Sequence, residues 1–201
     1  GAGDSDSDVR VIANTPPTIS GATLGPDPAS VSDVLVCTAS STDDVDGDAV
    51  SMTYEWSVDG LVVGGETSES LDGQLYFTRG QELIVLATPF DGTKEGDPKA
   101  SDPAIVGNAP PTPPTIYVDP VSPEAGIDDI HCIIDVEGTD PDGDELSYVF
   151  SWDADGVPYV HAETDIWPGD TVPADDLSYD EAWDCIVHAF DGTDYSDEAF
   201  A

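Results

Sequence analysis

The sequence is written twice. From Thr42 it reads T-D-D-V-D-G-D and then S-M-T-Y-E-W-S-V-D-G; from Thr139 it reads T-D-P-D-G-D and then E-L-S-Y-V-F-S-W-D-A-D-G. Further along, P-F-D-G-T (Pro89 to Thr93) answers A-F-D-G-T (Ala189 to Thr193), and N-T-P-P-T at Asn14 answers N-A-P-P-T at Asn108. A period of about 94 residues in a chain of 201 means two modules of one design, each of ordinary domain size. The boundaries follow from the repeat: residues 1–14 form an N-terminal strand, 15–108 the first module and 109–201 the second. The joint, A-P-P-T-P-P-T from Ala109 to Thr115, favours an extended, semi-rigid spacer.

Within each module the pattern is that of strands. Val34 to Cys37 begin one run, Met52, Tyr54 and Trp56 alternate along another, and Leu83, Val85 and Ala87 along a third. Trp183, Cys185 and Val187 stand in the equivalent places of the second module. Alternation with Gly, Pro and Asp between the runs marks an all-β sandwich, and no stretch carries a helical period. Asp59-Gly60 and Asp155-Gly156 fall where hairpins should turn, because that pair tolerates positive φ.

Charge narrows the partners. The chain has 43 acidic residues against 4 basic ones, a formal charge of −39. Phosphate backbones are bound through Lys and Arg, so nucleic acid is excluded as a partner, and an anionic membrane surface by the same repulsion. No apolar run is long enough to insert in a bilayer. Two sources of the acidity stand side by side: a surface that coordinates calcium, or a Lys-poor surface suited to high salt. Catalysis has no support. There is no G-x-S-x-G, H-E-x-x-H, phosphate loop or C-x-x-C, and His131, His161 and His188 read as surface residues.

The ensemble of T-D-P-D-G-D, then Y-x-x-S-W and D-G, the run ending in F-D-G-T, and N-A-P-P resembles the tandem Ig-like, PKD-like or cadherin-like repeats of large microbial surface and secreted proteins. The likeness covers nearly the whole chain, twice. It departs from PKD domains in lacking their W-D-F-G-D-G signature, which W-D-A-D-G at Trp152 only approximates. The resemblance implies two tandem immunoglobulin-like antiparallel sandwiches, an extracellular or cell-surface setting, and no enzyme activity. It also implies a disulfide from Cys132 to Cys185 across the two sheets, packed on Trp152. The first module keeps Cys37 and Trp56 but has Val85 in the second Cys position, which leaves Cys37 a buried free thiol or one with an intermolecular partner.

The sharpest chemical candidate is calcium. Asp44, Asp46 and Asp48 alternate in one turn, and Asp140, Asp142 and Asp144 in its counterpart. Calcium takes six to eight oxygen ligands, and carboxylates at every second position of a loop can converge on one ion. An EF-hand would need Gly directly after the third Asp, where Ala49 and Glu145 stand. Further ligands must therefore come from elsewhere: Asp43, Glu137, Asp191 or Asp194. The plain alternative is a solvated acidic turn.

The termini suggest assembly. Ser7 to Asn14 (S-D-V-R-V-I-A-N) aligns with Ser101 to Asn108 (S-D-P-A-I-V-G-N), the expected last strand of the first module. Ser196 to Ala201 reads as the start of that same strand. A chain so arranged is expected to join copies of itself head to tail, as a filament subunit or as a unit of a covalent array; the plain alternative is an ordinary N-terminal edge strand packing on the first module. Val9, Val11 and Ile12 carry the assembly strand, with Val11 or Ile12 its anchor. The alternative function is an adhesin or carbohydrate-binding stalk, with a glycan as partner; Trp167 and Tyr159 are its only signals, and Thr112 and Thr115 are candidate O-glycan sites.

Overall fold

The computed structural model describes residues 10–201, so Val9 of the assembly strand lies outside the described residues. The chain divides into two compact units, Gly1–Ala29 with Asp33–Val106, and Ser30–Ser32 with Gly107–Ala201. Each is a sandwich of two antiparallel sheets.

Unit one runs β1 (Gly21–Gly25), β2 (Val34–Ser40), β3 (Ser51–Val58), β4 (Leu61–Val62) and β5 (Ser70–Asp72). A one-turn helix follows, α1 (Gly73–Tyr76), then β6 (Glu82–Phe90), β7 (Lys99–Ala100) and β8 (Ala104–Ile105). One sheet has the order β1-β2-β5; the other has β4-β3-β6-β7, with β8 also on β6. Unit two repeats this with β9 (Thr115–Asp119), β10 (Ile130–Val136), β11 (Ser147–Ala154), β12 (Val157–Tyr159), β13 (Thr171–Val172), β14 (Trp183–Phe190) and β15 (Ala199–Phe200). Its sheets are ordered β9-β10-β13 and β12-β11-β14-β15.

Alternation builds the cores. On β6, Leu83, Val85 and Ala87 are fully buried while their neighbours lean outward. Trp56 and Trp152 fill the two centres at 0% and 1% exposure, and each buried indole N–H finds a carbonyl at 3.0 Å, of Ser68 and of Gly169. The two hairpins turn at Asp59-Gly60 and Asp155-Gly156, all four residues at positive φ. In unit two a disulfide joins Cys132 on β10 to Cys185 on β14, with Cα atoms 6.1 Å apart. Cys37 is a buried free thiol facing a core that has Val85 where unit two has Cys185, and burial pushes its pKa up. Two short helices among the described residues depart from an all-strand reading: α1, which Asp72 caps by accepting from the Gln74 N–H, and a 3-10 turn at Ala174–Asp176 in unit two.

The last strand of unit one is broken. β7 pairs with Leu86 and Ala87, β8 with Glu82 and Leu83, and Ser101 to Pro103 step between them. Unit two's β15 pairs with Ile186 and Val187 and so corresponds to β7. The bond from the Ser196 N–H to the Ala189 carbonyl matches that from Gly96 to Pro89. The sequence alignment of Ser196 to Ala201 with Ser101 onward is therefore corrected by five residues: these positions are the counterparts of Gly96 to Ser101.

Candidate metal centre

The two acidic turns are built alike. Asp44 Oδ1 accepts from the backbone N–H groups of Asp46 and Asp48, both at 3.0 Å. Asp140 Oδ1 does the same for Asp142 and Asp144, at 2.8 and 3.0 Å. Gly47 and Gly143 allow the return of the chain at φ of 80° and 84°. In unit one this folding brings one carboxylate oxygen from each of Asp44, Asp46 and Asp48 within 4.8 Å of the others.

The segment following each repeated Asn then closes on its turn. Thr15 donates its N–H to Asp46 Oδ2 at 2.6 Å, and Ala109 donates to Asp142 Oδ2 at 2.7 Å. The preceding asparagines reach to a second acidic corner after the long β6 and β14 strands. Asn14 Nδ2 donates to Asp91 Oδ2 at 2.8 Å; Asn108 Nδ2 donates to Asp191 Oδ2 at 2.8 Å and to Asp194 Oδ2 at 2.9 Å. Asp91 and Asp191 are each 8% exposed, and each also accepts two backbone N–H bonds from its own F-D-G-T turn. The Lys94 N–H and the Asn14 amide hold the Asp91 carboxyl below the usual range.

Position 94 separates the units. Lys94 Nζ donates to the Asn14 carbonyl at 2.7 Å, whereas its counterpart Asp194 adds a further carboxylate beside Asn108. Unit one places an ammonium where unit two places a carboxylate.

In each turn a buried carboxylate oxygen is left without a protein hydrogen bond. Asp44 Oδ2 and Asp140 Oδ2 are buried and have no hydrogen-bond partner. A buried carboxylate oxygen without a donor is costly, and several such groups crowded together repel. A hard cation with oxygen ligands resolves both problems, so the donor set fits calcium in kind.

Of the further ligands expected from sequence, Asp191 and Asp194 meet the second turn through the Asn108-Ala109 dipeptide. Asp43 instead pairs its backbone with Thr18, and Glu137 lines a separate cavity with His131 and Trp167. Sequence reading missed Asp91 and both asparagines, although F-D-G-T and N-x-P-P were each present twice. The two aromatic candidates for sugar stacking are engaged: Trp167 packs edge-on to Tyr148 at 5.4 Å, and Tyr159 lies against Trp183 at 5.0 Å with its hydroxyl on Asp176.

No protein-family model matches the sequence, and no curated protein is similar to it. Solved structures do resemble it. The chicken interferon gamma receptor alpha chain aligns at 13% identity over 94% of this chain and 98% of that one, with a TM-score of 0.44. The FN1–FN3 domains of chicken CNTN1 align at 12% identity over 92% of this chain and 65% of theirs, TM-score 0.32. Sidekick-1 immunoglobulin domains 1–5 align at 14% over 96% and 40%, TM-score 0.34. These neighbours are Ig-like and fibronectin-type sandwiches, and the likeness is one of architecture.

Proposed function

We propose that this chain is a structural unit of an extracellular fibre or surface filament, stabilised by calcium and joining copies of itself head to tail. The observation that carries the reading is the repeated closure of an Asn-x-Pro-Pro segment onto an Asp turn whose buried oxygen lacks a partner. That closure ties the start of each sandwich to the loop between β2 and β3, or between β10 and β11, so an ion there stiffens the fold at the point where a preceding module would enter. A disulfide suits an oxidising compartment, and among the described residues no helix is long and apolar enough to cross a membrane. Asp194 in place of Lys94 makes the second site the more anionic, and it is the one expected to bind calcium more tightly.

Thermal unfolding with calcium, with chelator, and with sodium chloride at matched ionic strength tests this. A ligand that binds only the folded state adds RT ln(1 + [L]/Kd), about 2.7 kcal/mol at a hundredfold excess over Kd. Calcium is expected to raise the melting temperature of unit two more than that of unit one. Full recovery by sodium alone would assign the acidity to salt adaptation and end the site reading.

A further inference from the structure

The sheet β9-β10-β13 leaves part of β10 uncovered on one side. β13 pairs only with Ile130 and His131, and past it the Cys132 N–H donates to the Asp170 carbonyl at 2.8 Å. Backbone groups face the same edge at every second residue, so Ile134 presents its N–H and carbonyl on that side too, away from Ile116 of β9. No backbone group meets them among the described residues. The neighbouring loop spends its donors elsewhere: the N–H groups of Asp165, Ile166 and Trp167 turn to the Asp170 carboxylate at 2.8, 2.8 and 2.7 Å.

A cavity of about 330 Å³ lies along this edge. Every residue from His131 to Asp135 lines it, and neighbours on a strand point to opposite faces, so it follows the backbone of β10 rather than either face. Ile166 and Trp167 supply an apolar wall, Ile166 being 73% exposed. Asp135, Glu137 and Asp165 stand exposed around it, and no Lys or Arg lines it. Unit one shares the backbone arrangement but not the side chains. Its Cys37 N–H donates to the Glu69 carbonyl at 2.8 Å, so Ala39 holds the place of Ile134 and Ser40 that of Asp135. From Cys37 to Thr42 the first repeat takes five steps, whereas from Cys132 to Thr139 the second takes seven. Within that longer stretch the register with β9 shifts between Ile134 and Val136, a bulge that re-aims the side chains around it.

We propose that this edge receives an extended segment of a partner protein that carries Lys or Arg on either side of an apolar residue. The guest backbone bonds the Ile134 N–H and carbonyl and so adds a strand to β10. Its apolar side chain lies beside that of Ile134, which packs toward the core, and enters the cavity against Trp167. The flanking basic residues alternate to the other face, where Asp135 stands. Charge selects the occupant. A strand from another copy of this chain, with 43 acidic residues against 4 basic ones, meets repulsion at the rim, whereas a basic segment is drawn to it.

Three end-blocked pentapeptides test the strand, each titrated into the whole chain at one calcium concentration and physiological ionic strength, with amide exchange read by NMR. Val-Lys-Val-Lys-Val is expected to slow exchange of the Ile134 amide at least about tenfold at saturation and to leave the Ala39 amide unchanged. Val-Lys-Pro-Lys-Val keeps the charge but lacks the central N–H, and Val-Glu-Val-Glu-Val reverses the charge; neither is expected to protect Ile134. Asp135→Ser combined with Glu137→Ser, both exposed positions, is expected to weaken binding of Val-Lys-Val-Lys-Val about tenfold. Equal slowing at Ile134 and Ala39, or equal protection by the proline peptide, overturns strand addition in favour of diffuse attraction to an acidic surface. Equal binding of the glutamate peptide, or undiminished binding in the double variant, overturns the basic partner. An Ile134 amide that no peptide protects overturns the site.

Discussion

Asp170 shows how little an acidic residue's chemistry can be read from composition. It is 3% exposed, and its carboxylate accepts from the N–H groups of Asp165, Ile166 and Trp167 at 2.8, 2.8 and 2.7 Å and from the Thr171 hydroxyl at 2.9 Å. Burial pushes its pKa up, but the donors outweigh burial and leave the carboxyl below its usual range. A depressed folded pKa contributes stability that is present above the unfolded value, near 3.9, and is lost as pH falls through the folded one. Asp170→Asn is expected to cost unit two about 2–4 kcal/mol at neutral pH, since bonds to a charged acceptor are lost inside the protein. That cost should shrink below about pH 4 when both proteins are melted across the acid range. Nothing in the sequence marks Asp170, because its partners are local backbone groups with no signature. Asp44 and Asp140 were legible because a repeat singles out residues whose spacing matters.

At the scale of elements, the turns were the most legible and the last strand the least. Asp-Gly at 59–60 and 155–156 specifies a positive-φ hairpin through backbone sterics alone, so no distant contact can change the answer. The final strand depends on which residues of β6 or β14 it pairs with, and Ser196-Asp197 echoes Ser101-Asp102 by coincidence while the hydrogen bonds set a different register. A second element-level constraint was also invisible. The strand-like segment at Thr112 bonds the Thr139 carbonyl at 2.8 Å and presses on Gly138, where an added Cβ would lie 2.2 Å from the Thr112 carbonyl oxygen. Gly96 meets Pro17 in the same way, at 1.9 Å. Gly138→Ala is expected to lower the stability of unit two by about 1–3 kcal/mol, as overpacking does. Gly64→Ala, with nothing within 4 Å, serves as the control that should leave the melting curve in place.

At the scale of the whole molecule, the units share a fold and differ in what holds them. The tandem sandwich was legible because two copies of one pattern discriminate signal from accident. One difference has a mechanical meaning. The Cys132–Cys185 bond ties together positions 53 apart in the sequence of unit two, while unit one has no such tie among its described residues. Pulled from its ends, unit one can surrender its full contour length. Unit two must keep its enclosed loop out of the load path, withholding roughly 180 Å at the reach of an extended chain. Single-molecule stretching should therefore show two unequal lengthening steps, the shorter one growing to match the longer when a reductant is added. A fibre made of such pairs would carry, in every subunit, one element that gives way and one that limits how far it can be drawn out.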